Sequence, residues 1–264
     1  MPSTTIPCFR QGFDQLLVRT NRFRSYPSFK LFSVEADFLC QLCCPNSISL
    51  EDSTNLGLTC PNNFGHLRLA EEAVAHLGLG GVRWIPAGQP PHRGAPQVTA
   101  AQRLAMVGCA TAGNPLFSVD PAEVLAAEPS YTVHTLERLR RELGDAQPLV
   151  LLVGADAFAG LATWHRWRDL FSLAHIAVSH RPGFPVETAS LPHELATEFA
   201  DRRMLDVAAL KAGPAGCIVT FAMTQLAISA TQIRKLLANR MSARYLLPDE
   251  VLDYIQTHSL YRNA

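Results

Sequence analysis

The heptapeptide Ile228-Ser229-Ala230-Thr231-Gln232-Ile233-Arg234 puts two hydroxyls, a helix start and a guanidinium within seven residues. Ser229 is placed to cap a helix whose apolar face continues through Ile233, Leu236 and Leu237. The first-turn amides of such a helix point outward, its dipole is positive at that end, and Thr231 and Arg234 stand beside it. Together these groups favour an anion such as a phosphate. An ordinary capped helix would carry the same residues, so the segment has to be weighed with the rest of the chain.

Five further clusters could do chemistry. Gly65-His66 opens a helical stretch, where a Gly admits close backbone approach and a His can donate to a phosphate; a surface imidazole would look the same. Pro90-Pro91-His92-Arg93 sets two cationic donors on a stiff loop, suited to an anion but also common on surfaces. Gly154-Ala155-Asp156 follows an apolar strand, where a carboxylate can accept ribose hydroxyls. Trp164-His165-Arg166-Trp167 offers an aromatic face to a flat ring, or two tryptophans that pin a helix to the core. Ser130-Tyr131-Thr132 reads as a helix cap whose hydroxyls a ligand could also use.

These clusters must be held by elements that the local pattern predicts. Leu67, Leu69, Ala70, Ala73, Val74 and Leu77 give a helix ending at Gly78. A strand is expected over 82–86, a helix capped by Thr99 through about 112, a strand at 117–119 and a helix over 131–143. An apolar strand at 148–153 leads into a helix from Ala155, and further strands are expected at 175–178, 204–207 and 217–221. Helices near 229–238 and 248–257 close the chain. Strands alternating with helices imply an α/β fold, a parallel sheet with helices on both faces, whose ligands bind at the carboxyl ends of the strands.

Composition narrows the classes. Of 264 residues, 48% are hydrophobic and 17% charged, as in a globular protein with a sizeable core. Lys+Arg and Asp+Glu both number 23, so no bulk charge points to nucleic acid or to a membrane surface. No apolar run approaches the roughly 18–20 residues of a membrane span, and residues 1–30 lack a signal-peptide core, so a cytoplasmic location is expected. Five of the seven cysteines, Cys8, Cys40, Cys43, Cys44 and Cys60, lie in the first quarter, leaving Cys109 and Cys217 for the rest. Cys40-x-x-Cys43 could be half of a zinc site, with Cys60 and Cys8 completing it, but no second pair exists and its neighbours are apolar.

The order of the clusters carries a resemblance. Gly65-His66, Pro86 to Arg93, Pro129-Ser130-Tyr131-Thr132, Gly154-Ala155-Asp156-Ala157-Phe158, Trp164 to Trp167, Ser179-His180-Arg181-Pro182-Gly183 and Ile228 to Arg234 strongly resemble bacterial nicotinate-nucleotide adenylyltransferases, in family order and spacing. Tyr245-Leu246-Leu247-Pro248 and Tyr254-Ile255 match as well. The resemblance implies a Rossmann-like domain of the nucleotidyltransferase type over 64–264, with a small helical C-terminal part. It implies transfer of AMP from ATP to nicotinate mononucleotide, giving nicotinate adenine dinucleotide and pyrophosphate in NAD biosynthesis, with Mg²⁺ entering with ATP and no metal ligand assigned to the protein. His66 and Arg234 would be catalytic. Gly65, His66, Asp156, Ser229, Thr231 and Arg234 would bind ATP. Thr132, Trp164 and His165 would bind the pyridine nucleotide, and His92, Arg93 and Arg181 would contact phosphate or loops. A homo-oligomer is compatible with this reading.

One departure stands out. The family opens on a strand running into G-G-T-F-D-P-x-H-x-G-H, whereas this chain reads Leu56-Gly57-Leu58-Thr59-Cys60-Pro61-Asn62-Asn63-Phe64-Gly65 before His66. Gly57, Pro61 and Gly65 keep register, and Asn63 replaces the first histidine. The expected first strand is weak in Ser47-Ile48-Ser49-Leu50. Residues 1–63 are therefore expected to be an atypical N-terminal segment, poorly ordered or mistranslated through a frame or start-site error. Taken as written, the chain would lack the first strand and half of the ATP loop. The rival expectation is then a nucleotide-binding protein of the same fold with impaired catalysis.

Overall fold

The computed structural model describes residues 32–35, 62–89 and 97–262. Their centre is a six-stranded, wholly parallel sheet: β1 (Phe32–Glu35), β2 (Val82–Ile85), β3 (Phe117–Val119), β4 (Val150–Gly154), β5 (His175–His180) and β6 (Ile218–Ala222). The spatial order is β3-β2-β1-β4-β5-β6, the doubly wound order whose direction reverses between β1 and β4. Ten α-helices accompany it among the described residues: α1 (Phe64–Leu77), α2 (Ala100–Thr111), α3 (Ala122–Leu125), α4 (Thr132–Leu143), α5 (Ala155–Ala159), α6 (Leu170–Leu173), α7 (His193–Arg202), α8 (Ala209–Ala212), α9 (Ala230–Ala238) and α10 (Asp249–Thr257).

Burial of both sheet faces explains the continuous apolar strands. In β4, Leu151 and Val153 join one core with Ile176, Val178, Leu136, Phe158 and Phe199. Val150 and Leu152 point the other way, into a second core with Leu69, Ala73, Trp84, Ala177 and Val219. A third cluster packs Val98, Met106, Ile233, Leu247, Val251 and Ile255, so α2, α9 and α10 form the small helical part expected at the C-terminus.

Several helix ends follow sequence logic. Thr99 caps α2 and exchanges bonds with Gln102 in a capping box. α1 ends on Gly78 in the left-handed conformation, φ 65° and ψ 43°, which a glycine adopts without a Cβ penalty.

The structure departs from expectation in three places. The β1 slot is filled by Phe32–Glu35, paired to β2 through Val34↔Trp84 and to β4 through Ser33↔Leu151; the weak candidate at 47–50 lies outside the described residues. Four residues of Phe-Ser-Val-Glu are too short for periodicity to single out. The strand expected over 204–207 is not formed. Arg203 makes one parallel bridge to Ile218, after which the Asp206 carboxylate accepts the Ala208 amide and turns the chain into α8. α7, by contrast, was not anticipated; it buries Leu195 and Phe199, one turn apart. Cys8, Cys40, Cys43 and Cys60, weighed above as a zinc set, lie outside the described residues.

Candidate active site

The switch point lies where β1 and β4 end side by side, and α1 and α5 start on the chain beyond them. At α1, Asn63 is the N-cap: its Oδ1 accepts the amides of Gly65 at 2.9 Å and His66 at 3.3 Å. The Asn63 amide in turn donates to His66 Nδ1 at 3.2 Å. This reciprocal box, with a histidine in place of the usual Glu or Gln, fixes the tautomer. With Nδ1 accepting, the neutral ring carries its proton on Nε2. His66 is buried, 2% exposed, and burial lowers its pKa to about 4, so the imidazole is neutral at physiological pH. The Phe64 amide is also taken up, by the Leu246 carbonyl at 3.2 Å. The first-turn donors of α1 are therefore already engaged by the protein's own oxygens.

The 228–234 segment sits directly against this helix start. A Cβ on Gly65 would lie 3.8 Å from the Ile228 carbonyl oxygen and 3.9 Å from that of Leu226. Ser229 caps α9 as expected, accepting the Gln232 amide at 3.0 Å. Arg234 Nη2 donates to Thr231 Oγ1 at 3.0 Å, so hydroxyl and guanidinium share one face of the first turn. His66, Ser229, Thr231 and Arg234 thus belong to two helix starts in contact.

Asp156 lies in the first turn of α5, two residues beyond the end of β4. Gly154 pairs with Ser179, so Arg181 lies two residues beyond the same rung and the two charges face one region. Partial burial raises the Asp156 carboxyl above the usual carboxylate range, against the opposing pull of Arg181.

The pyridine-side candidates cluster at the start of α4. Tyr131 is the N-cap of α4 and its ring lies 4.5 Å from that of His165. Arg166, with φ 52°, pairs with Glu137 of α4 at 2.9 Å and with Asp169 at 2.6 Å. These ties bring Thr132, Trp164 and His165 to one helix end. The two tryptophans separate in role: Trp167 is buried and stacks under Arg168, whereas Trp164 is half-buried at the rim of the core.

Ser130 is corrected: it does not cap α4. Its Oγ accepts the amides of Gly88 at 3.0 Å and Gln89 at 3.3 Å, which fastens the stem of the loop after β2. Arg103 secures the same loop at both ends, donating to the carbonyls of Ala87 and Gly88 and, on the returning side, to Val98. His92 and Arg93 lie in 90–96, outside the described residues. Arg103 and Glu72 are buried groups that sequence reasoning missed. The available signal was spacing: Arg103 falls one turn before Met106 and Val107 on the buried face of α2.

Among the described residues no three His, Cys, Asp or Glu side chains gather in a way that could hold a metal ion. No helix among them is long and apolar enough to cross a membrane.

A family model described as cytidylyltransferase-like matches residues 61–236. A protein of Dechloromonas aromatica named "Probable nicotinate-nucleotide adenylyltransferase" is 81% identical over 204 residues, covering 77% of this chain and 94% of the relative. One of the same name from Pseudomonas paraeruginosa is 49% identical over 202 residues, covering 76% and 92%. Among solved structures, the Plasmodium falciparum nicotinic acid mononucleotide adenylyltransferase complexed with NaAD is similar in fold, with a TM-score of 0.57 at 12% identity over 88% of this chain and 95% of that one. By family model and by relatives matched along nearly their whole length, the chain belongs to the cytidylyltransferase-like nucleotidyltransferases, and within them to the nicotinate-nucleotide adenylyltransferase family.

Proposed function

We propose that this chain transfers AMP from ATP to nicotinate mononucleotide, releasing pyrophosphate and forming nicotinate adenine dinucleotide, as a cytoplasmic enzyme. The observation that carries the reading is the packing of the His66 helix start against the segment leading to Ser229, Thr231 and Arg234. A phosphate oxygen of the mononucleotide attacks the α-phosphorus of ATP and the pyrophosphate leaves, so no protein nucleophile is needed and catalysis is positioning plus charge stabilisation.

In that scheme the neutral His66 donates Nε2–H to a phosphate oxygen on which negative charge develops. Arg234, beside Thr231 and the amides of the α9 start, holds the departing pyrophosphate. Asp156 accepts ribose hydroxyls, Trp164 stacks on the pyridine ring, and Thr132 with the His165 amide faces the nicotinate carboxylate. Arg181, His92 and Arg93 are assigned to phosphate and loop contacts. Mg²⁺ would enter bound to the triphosphate, whose oxygens are the hard donors it prefers. Bound in that way, it would supply positive charge to the leaving pyrophosphate.

Purified protein with MgATP and nicotinate mononucleotide is expected to release pyrophosphate, and to do so faster than with nicotinamide mononucleotide. No release above a His66→Ala control would overturn the reading. One observation favours a second reading, a nucleotide-binding protein with weak turnover: the Asn63 carboxamide already occupies two amides at the α1 start. Calorimetric ATP binding without pyrophosphate release would select it.

A further inference from the structure

We infer that Glu72 is a positioning residue for ATP, a strut that sets the His66 helix against the segment carrying Ser229, Thr231 and Arg234. This rests on the adenylyl-transfer reading of that site.

Glu72 lies in the middle of α1, 4% exposed. Its Oε2 accepts the backbone amide of Thr224 at 2.7 Å, and the Thr224 hydroxyl also bonds the carboxylate. Oε1 accepts from Arg68 Nε at 2.6 Å, one helical turn back. Burial alone would raise this carboxyl, but the Thr224 hydroxyl and amide, with Arg68, outweigh it and hold it below the usual range. Glu72 is thus a buried anion tied to a segment 152 residues away in sequence.

Thr224 is the second residue of the short connector between β6 and α9. The connector is pinned at Met223, whose amide donates to the His180 carbonyl at 3.0 Å, and folds on itself where the Ile228 amide meets the Leu226 carbonyl at 2.8 Å. Those two carbonyls, of Leu226 and Ile228, are the ones that pack on Gly65. Glu72 therefore fastens the near end of the connector to the helix whose start touches its far end. Without the Thr224 bonds, the two helix starts lose the fixed separation that a triphosphate spanning them requires. Sub-ångström placement of such donors is worth large rate factors.

The test compares Glu72→Asp, Glu72→Gln and Glu72→Ala by ATP calorimetry, by separate KM values for ATP and nicotinate mononucleotide, and by thermal melting. Glu72→Gln keeps the length and an acceptor for the Thr224 amide; Glu72→Asp keeps the charge but cannot reach. We expect Glu72→Asp and Glu72→Ala to raise the Kd and KM for ATP about tenfold, with the KM for nicotinate mononucleotide within about twofold and Glu72→Gln within about threefold of wild type. Unchanged ATP affinity in folded Glu72→Asp, both KM values rising together, or charge rather than reach setting the order would each overturn the inference. If Glu72→Ala does not fold, the Asp and Gln variants still decide. Wild-type protein that binds ATP but releases no pyrophosphate would sink the adenylyl-transfer reading and leave the strut to be judged on calorimetry. Wild-type protein that binds no ATP would overturn both.

Discussion

Protonating His66 should loosen the whole domain before neutral-pH intuition about histidine would suggest. The ring is buried, its Nδ1 accepts the Asn63 amide, and its pKa falls from 6.5 to about 4. The unfolded chain takes up this proton below about pH 6.5, while the folded chain resists it until about pH 4. The unfolded state therefore binds more protons across that window. Stability from the neutral ring is fully present above pH 6.5, declines as pH falls, and is gone below about pH 4. The whole shift of about 2.5 units corresponds to about 3 kcal/mol, of which about 2 kcal/mol is lost by pH 5. Urea unfolding of wild type and His66→Gln at pH 7.5 and pH 5 isolates this part, because His175, whose pKa burial also lowers, is common to both proteins. Wild type should lose about 2 kcal/mol more than His66→Gln on going to pH 5. Equal losses would refute the argument, and so would a His66 NMR titration centred near 6.5.

Other perturbations separate the site from its scaffold. Gly88→Ala would place a Cβ 1.8 Å from the Glu123 backbone oxygen; moving that backbone should cost about 3 kcal/mol in urea unfolding, and an unchanged midpoint would contradict the packing. Arg140→Met strips the guanidinium bonded to the carbonyls of Leu173, Gly144, Gln147 and Pro214. It should cost about 3 kcal/mol of stability with kcat unchanged at temperatures where the variant is folded, since those residues flank the amino ends of β4 and β5. Trp164→Ala should raise the KM for nicotinate mononucleotide about tenfold with little change for ATP, whereas Trp167→Ala, which opens the core, should lower the melting temperature instead.

Where local chemistry and tertiary packing agreed, the sequence was readable. Thr99 with Gln102, Ser229 with Gln232 and Gly78 past Leu77 are caps whose residue types announce their geometry. Val150 to Gly154 announced burial on both sides. Misreadings arose where a side chain answers to a distant partner. Ser130 looks like a cap for the next helix, yet Gly88 and Gln89 claim its oxygen from more than forty residues away. Glu72 carries no local signal of its role, because only the fold brings the Thr224 amide to its carboxylate. The apolar Met204–Val207 stretch looks like a strand, but its Leu205 is 89% exposed and one bridge to Ile218 is all the sheet it meets. The contact between the two helix starts is of the same kind, since no local pattern encodes which carbonyls Gly65 will touch.

The position of Phe32–Glu35 has a mechanical consequence. Adjacent strands stand about 4.8 Å apart, so vacating the slot between β2 and β4 would leave them nearly 10 Å from one another, beyond the reach of any backbone bond. A polypeptide started at residue 61 would keep every residue spanned by the cytidylyltransferase-like match yet hold its sheet as two half-sheets, β3-β2 and β4-β5-β6. The seam would run through the switch point, where β1 and β4 lie side by side. Four residues thus act as a keystone, their backbone bearing on both halves of the arch.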